Sequence, residues 1–214
     1  VNTYIKGKRK IGTVGPPLEN VEVEISNIGE ILVKGPNVMK GYYKDEEMTR
    51  KTIVNGLLHT GDVGIIDNDG MLKITGRVKE IFKTSMGKYV SPVLLENKIK
   101  ESPFIDQIIV LGENQKFAAA LIVPDFEHLS SWCKIKNIDY TTNDEMITNR
   151  HVQNRIKKEI DCFNKQFGDA EKIKKFKFID HEWTIDSGEI TANLKLKRSL
   201  IQEKYKKEIE SLFI

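Results

Sequence analysis

LHTGDVGIIDNDGMLKITGRVKEIFKTSMGKY, running from Leu58 to Tyr89, holds two strands, a tight turn and a change of architecture in one stretch. The segments 59–66 and 71–75 read as a pair of strands, and Asp67-Asn68-Asp69-Gly70 joins them. Asp69-Gly70 is a strong hairpin signal, because such turns need positive φ. Asp62, Arg77 and Lys79 fall at the ends and turns of these strands. A buried structural hairpin has little use for three charged residues in such short connections, so the stretch is a candidate ligand site.

Upstream, residues 21–25 alternate as a strand, 27–29 form a turn, 30–35 form a second strand, and 44–52 read as a short polar helix. Downstream of Gly76 the pattern becomes alternating strands and helices. Ser91 is placed to cap a helix that starts at Pro92 and turns Leu94, Leu95 and Ile99 inward. Residues 107–112 and 118–124 read as buried strands, and Asp125 as the cap of a helix carrying Phe126, Leu129, Trp132 and Cys133. Thr142 and Glu145 form a capping-box pattern for one longer helix with Val152, Ile156, Ile160, Phe163 and Phe167 at helical spacing. A strand at 175–179 and a closing amphipathic helix at 198–213 complete the reading. The fold class is therefore α+β: a β-rich subdomain, part of a distorted barrel, over residues 1–76, then a small mixed α+β domain over 77–214.

The chain has 214 residues, 39% hydrophobic and 30% charged, with a net charge of +3. This is the profile of an ordinary globular protein. Both signs are interspersed, so the clustered basic face expected of a nucleic-acid binder is not in evidence. Cys133 and Cys162 belong to no metal-ligand pattern and are expected as reduced thiols in helical apolar stripes, which fits a cytoplasmic setting. No segment approaches the roughly 18 apolar residues of a membrane span, leaving peripheral membrane contact as the only association to consider. Val1 is not an initiator Met, and the opening is expected to lie within a longer protein.

The chemistry-bearing residues each admit two readings. Asp62, in Thr-Gly-Asp, suits acceptance of hydrogen bonds from a ribose diol, or an Asx-turn at a strand bend. Arg77 suits contact with ribose or phosphate oxygens, or a surface salt bridge. Lys79 stands at the boundary, where a hinge would fall. Residues 84–89, with Gly87 and Lys88, read as a strand-to-helix connection able to offer backbone N–H groups. Residues 186–198 combine a turn with a basic run, from which a lysine could stabilise charge on phosphorus, or simply lead into a solvated helix. His59, His128, His151 and His181 have no metal spacing, and no Walker A, GxSxG or HExxH sequence occurs.

Taken in order, GYYKDEEMT at 41–49, LHTGD at 58–62 and GRVKEIFKTSMGKYV at 76–90 resemble successive signatures of the AMP-forming acyl-CoA synthetases, the adenylate-forming ligases. SPVLLENKIKESPFIDQI at 91–108, ALIVPDFE at 120–127, the long insert at 128–170 and the ending GEITANLKLKR at 188–198 resemble the long-chain fatty acid–CoA ligase branch. That resemblance implies a C-terminal portion, inactive alone, of an enzyme using ATP, CoA and Mg2+, the last bound mainly by the N-terminal region. The fatty acid, ATP and CoA would be its substrates. Asp62 would bind the ribose hydroxyls, Arg77 the same ribose and the phosphate, and Lys79 would be the hinge. The loop of Gly87 and Lys88 would line the pantetheine tunnel. The family's usual Ser-Gly-Lys ending reads Ser187-Gly188-Glu189 here, so the resemblance carries the catalytic lysine downstream to Lys195, with Lys197 as the alternative. Two other readings are a fatty acyl-AMP ligase serving a carrier protein, and a non-catalytic homologue acting as a binding module.

Overall fold

The computed structural model describes Gly7 and residues 9–214. The chain divides into two compact units, Val1–Ile81 and Phe82–Ile214. The fold class is the expected α+β.

In the first unit, strands β1 (Glu22–Ile25), β2 (Glu30–Lys34), β3 (Ile53–Val54), β4 (Leu57–Ile66) and β5 (Leu72–Arg77) form one sheet. Its order is β1-β2-β4-β3, with β5 pairing β4 and every pairing antiparallel. Among the described residues this sheet is open and forms no closed barrel. Helix α1 (Glu46–Thr52) starts where Asp45 accepts a hydrogen bond from the Met48 N–H at 2.9 Å. The β4–β5 register slips between Val63 and Gly64. Gly64 is required there: a Cβ would stand 2.7 Å from both Ile31 Cδ1 and the Lys73 carbonyl oxygen. At the hairpin turn, Asp67 Oδ1 accepts from the Asp69 and Met71 N–H groups, and Gly70 has φ 75°.

In the second unit, β6 (Phe82–Lys83) and β7 (Tyr89–Val90) make a short hairpin. A three-stranded sheet follows, built from β8 (Ile105–Leu111), β9 (Ala118–Pro124) and β10 (Ile173–Phe178) in the order β10-β9-β8. Strand β9 is antiparallel to β8 and parallel to β10. Every residue of β9 is buried, and the period of two along β8 and β9 sorts side chains into two cores. Ile108, Val110, Ala120 and Ile122 join one cluster, under α2 (Pro92–Ile99), α3 (Phe126–Lys136) and α5 (Arg150–Asn164). Ile109, Leu111, Leu121 and Val123 join the other, under α6 (Arg198–Lys204) and α7 (Lys206–Leu212). Each fully buried Ile or Leu is worth about 1.5–3 kcal/mol of transfer free energy, so these two layers set the stability of the unit.

The structure corrects several local expectations. Ser91 stands at the N-cap of α2 with Pro92 at N1, yet its side chain makes no capping bond. The single helix expected after Thr142 is two, α4 (Asn143–Thr148) and α5, because Asn149 adopts φ −62°, ψ 126° and caps α5 by accepting from the His151 N–H. Asn competes with the helical backbone in this way wherever it can cap a new start. Thr142 does accept from the Glu145 N–H, but Glu145 returns its carboxylate to Thr141. The closing helix also breaks, at Tyr205 (φ −105°, ψ 29°), whose ring is buried in the second core. Residues 84–88 close the β6–β7 hairpin instead of connecting strand to helix. Cys133 is buried as expected, but Cys162 is exposed on α5.

Candidate functional site

Asp62 and Arg77 are direct partners across β4 and β5. Arg77 Nε donates to Asp62 Oδ1 at 2.9 Å, with the Arg77 side chain 60% exposed and Asp62 30% exposed. The two residues picked out by sequence thus form one charged pair at the open end of a hairpin. An exposed pair of this kind adds little stability, about 0–1 kcal/mol, so it is free to exchange partners with a ligand. The backbone beneath it is held firmly. Gly61 has φ 71°, a conformation costly for any other residue. Its N–H donates to Glu30 Oε1 at 2.9 Å, while Glu30 Oε2 lies 2.9 Å from His59 Nδ1. Thr60 Oγ1 donates to the Ile31 carbonyl and accepts from the Asp62 N–H. The buried Glu30 therefore braces the Thr-Gly-Asp bend, a role the sequence did not suggest; its one signal was an acid placed directly before the apolar run Ile31–Val33. Lys79 is exposed within a single 3-10 turn, Val78–Glu80, just before the division at Ile81.

In the second unit, the Gly87 N–H is spent on the Thr84 carbonyl, and the Lys88 N–H on Thr84 Oγ1. Gly87 has φ 78°, so it shapes a tight turn that presents Met86 and the Lys88 side chain outward. The backbone donors expected of this loop are thus already taken at both positions.

Lys195 rides on a second tight hairpin, closed by a bridge between Ile190 and Leu196. The Leu194 N–H donates to the Thr191 carbonyl, Thr191 N–H to the Lys195 carbonyl, and Lys195 N–H to Thr191 Oγ1, all at 2.8–3.0 Å. Lys195 and Lys197 are both exposed, and neither amine has a hydrogen-bond or ion-pair partner among the described residues. The backbone N–H of Lys197 donates to the Glu189 carbonyl at 2.8 Å, immediately before α6.

Glu189, which follows Ser187 and Gly188, is wholly buried. Its carboxylate accepts from the Lys204 amine, the Ser187 hydroxyl and, at 3.2 Å, the Tyr205 hydroxyl. Burial alone would push this carboxyl up, but the hydrogen bonds from Lys204 and Ser187 outweigh it and hold it at about 2. The same contact raises the Lys204 amine, and burial raises the Tyr205 hydroxyl. Nearby, Glu96 accepts from the Val110 N–H at 2.6 Å and from Arg198, whose other nitrogen reaches the Val110 carbonyl at 3.4 Å. Neither buried acid was picked out as a structural anchor from sequence, since both sit in runs that pattern alone marks as surface. Among the described residues, no three His, Cys, Asp or Glu side chains are arranged to hold a metal ion.

Residues 79–214 match the family of the AMP-binding enzyme C-terminal domain. Over 208 residues the chain is 37% identical to the long-chain-fatty-acid–CoA ligase FadD15 of Mycobacterium tuberculosis, covering 95% of this chain and 34% of that one. It is 38% identical over 190 residues to the mouse long-chain-fatty-acid–CoA ligase 6, covering 87% of this chain and 27% of that one. The chain thus spans about a third or less of the length of these curated relatives. In fold it is similar to the adenylation domain of a carboxylate reductase from Mycobacterium chelonae, with a TM-score of 0.69 and 23% identity over 92% of this chain and 31% of that one. It is also similar in fold to the O-succinylbenzoate coenzyme A synthetase of Bacillus subtilis, solved with AMP, with a TM-score of 0.59 and 24% identity over 90% of this chain and 36% of that one. The chain belongs to the AMP-binding enzyme C-terminal domain family.

Proposed function

We propose that this chain is the C-terminal part of an AMP-forming long-chain fatty acid–CoA ligase and is inactive by itself. The reaction has two halves. A fatty carboxylate oxygen attacks the α-phosphorus of ATP, forming acyl-AMP and expelling pyrophosphate. The CoA thiol then attacks the acyl carbonyl, loses its proton, and displaces AMP to leave the thioester.

In this reading Asp62 accepts the ribose hydroxyls, and Arg77 turns from Asp62 toward the ribose and phosphate oxygens. The observation that carries the reading is the Asp62–Arg77 pair, exposed on a bend that Glu30 holds rigid. Lys195 supplies positive charge to the phosphoryl oxygens as the pentavalent centre forms, with Lys197 as the alternative. Lys79 is the pivot between residues 1–76 and 77–214, and the Gly87–Lys88 turn faces the CoA path. The Mg2+ that such chemistry uses would be held mainly by the N-terminal region of the enzyme, since no three His, Cys, Asp or Glu side chains among the described residues are arranged to bind a metal ion.

The test is palmitate-dependent pyrophosphate release by the complete protein that contains this chain, wild type beside Lys195→Ala. Release by the wild type and its loss in the variant support the ligase reading and the shifted lysine. Release unaffected by the substitution moves the role to Lys197. No release with any acyl chain offered refutes the reading.

A further inference from the structure

A carboxylate withdrawn completely from solvent sits at the base of the hairpin that carries Lys195. Glu189 is tied there twice. Its backbone carbonyl accepts from the Lys197 N–H at 2.8 Å, closing the hairpin. Its side chain takes the Lys204 amine and the Tyr205 hydroxyl from the helical segment that follows, and the Ser187 hydroxyl from the segment that precedes. The hairpin is thus clamped to α6 at its root. At the tip, both backbone groups of Lys195 are bonded to Thr191, and Leu194 is held at φ 57°, a left-handed conformation that Leu rarely adopts. Between a fixed root and a constrained tip, only the side-chain torsions of Lys195 remain free to aim its amine.

An apolar side chain would fill the same buried space without the desolvation penalty of a charge. The charged clasp is therefore not the cheapest way to stabilise this corner. What it adds is a single arrangement of the strand leaving Glu189 relative to the helix entering at Arg198.

We infer that Glu189 is the positioning residue for Lys195: the clasp of Glu189 with Lys204 and Ser187 fixes the hairpin root on α6 and sets the point from which the lysine amine reaches the reacting phosphorus. This inference rests on the assignment of adenylation to Lys195 under Proposed function.

The experiment uses the complete ligase and reads the two half-reactions separately, well below the melting temperature of each variant. Glu189→Gln should lower kcat for pyrophosphate release by about tenfold or more, with KM for ATP changed by less than about twofold. Thioester formation from supplied palmitoyl-AMP and CoA should stay within about twofold, since Lys195 does not serve that step. Ser187→Ala, at an exposed residue that threatens the fold less, should show the same selectivity at about threefold. On a Lys195→Ala background, Glu189→Gln should cause no further loss of adenylation. Equal loss in both half-reactions, additive loss on the Lys195→Ala background, or no loss from either variant overturns the inference. Lys195→Ala alone reads the underlying assignment: if it leaves adenylation intact, that assignment fails and this inference falls with it.

Discussion

Stability at acid pH should depend on Glu189 more than on any exposed carboxylate. The group is fully buried, and its carboxyl is held at about 2 against an ordinary 4.5. A depressed carboxyl stabilises the folded state at pH above its unfolded value and loses that contribution as pH falls through its folded value. The difference corresponds to about 3 kcal/mol at neutral pH, of which about 2 kcal/mol is gone by pH 3. Glu189→Gln removes the titration without changing the shape of the side chain. The variant should therefore be less stable than wild type at pH 7, and the gap should close steadily between about pH 4.5 and pH 2. The assay is urea denaturation of the protein at a series of pH values, followed by fluorescence of Trp183. This tryptophan is buried and donates through Nε1 to the Tyr205 hydroxyl, so it reports on the same corner. A gap between wild type and variant that stays constant from pH 7 to pH 3 would refute the reasoning.

Two further substitutions have directions the structure decides. Arg198→Met removes a cation that pairs with the buried Glu96 carboxylate and should cost about 3 kcal/mol, whereas adding Glu96→Gln, which keeps an acceptor for the Val110 N–H, should recover part of that loss in a denaturation cycle. Leu194→Asn places at φ 57° a residue that tolerates the left-handed region and removes an exposed apolar side chain, so it should raise stability by about 1 kcal/mol, read as a higher melting temperature.

Period and turn chemistry made much of the architecture legible. The alternation in β1, the strand that follows it as β2, the Asp-Gly turn between β4 and β5, and the unbroken apolar run of β9 all correspond to observed elements. The failures share a cause: where a polar side chain chooses between helix and cap, the outcome depends on tertiary partners. Asn149 ends one helix and starts another although the apolar spacing runs on through it. Tyr205 interrupts the last helix where its hydroxyl meets the buried Glu189 and Trp183 and the exposed His181. At the site, Asp62 and Arg77 could be picked out from sequence, but not that they face each other, because the register slip at Val63/Gly64 intervenes. The buried roles of Glu30, Glu96 and Glu189 were not legible for a simpler reason: an acid reads as surface until its donors are known.

The pairing of Glu96 and Arg198 also bears on the edges of the second unit's sheet. Strand β8 lies at one margin of its sheet, and Val110 there turns its N–H and carbonyl away from β9. The carboxylate takes the first and the guanidinium the second, so the two side chains imitate a neighbouring strand one residue long. At the other margin, β10 carries the exposed lysines 174, 175 and 177, whose like charges repel an identical strand laid alongside. Each margin thus carries a feature that disfavours pairing with an identical strand, a capped residue on β8 and a row of like charges on β10.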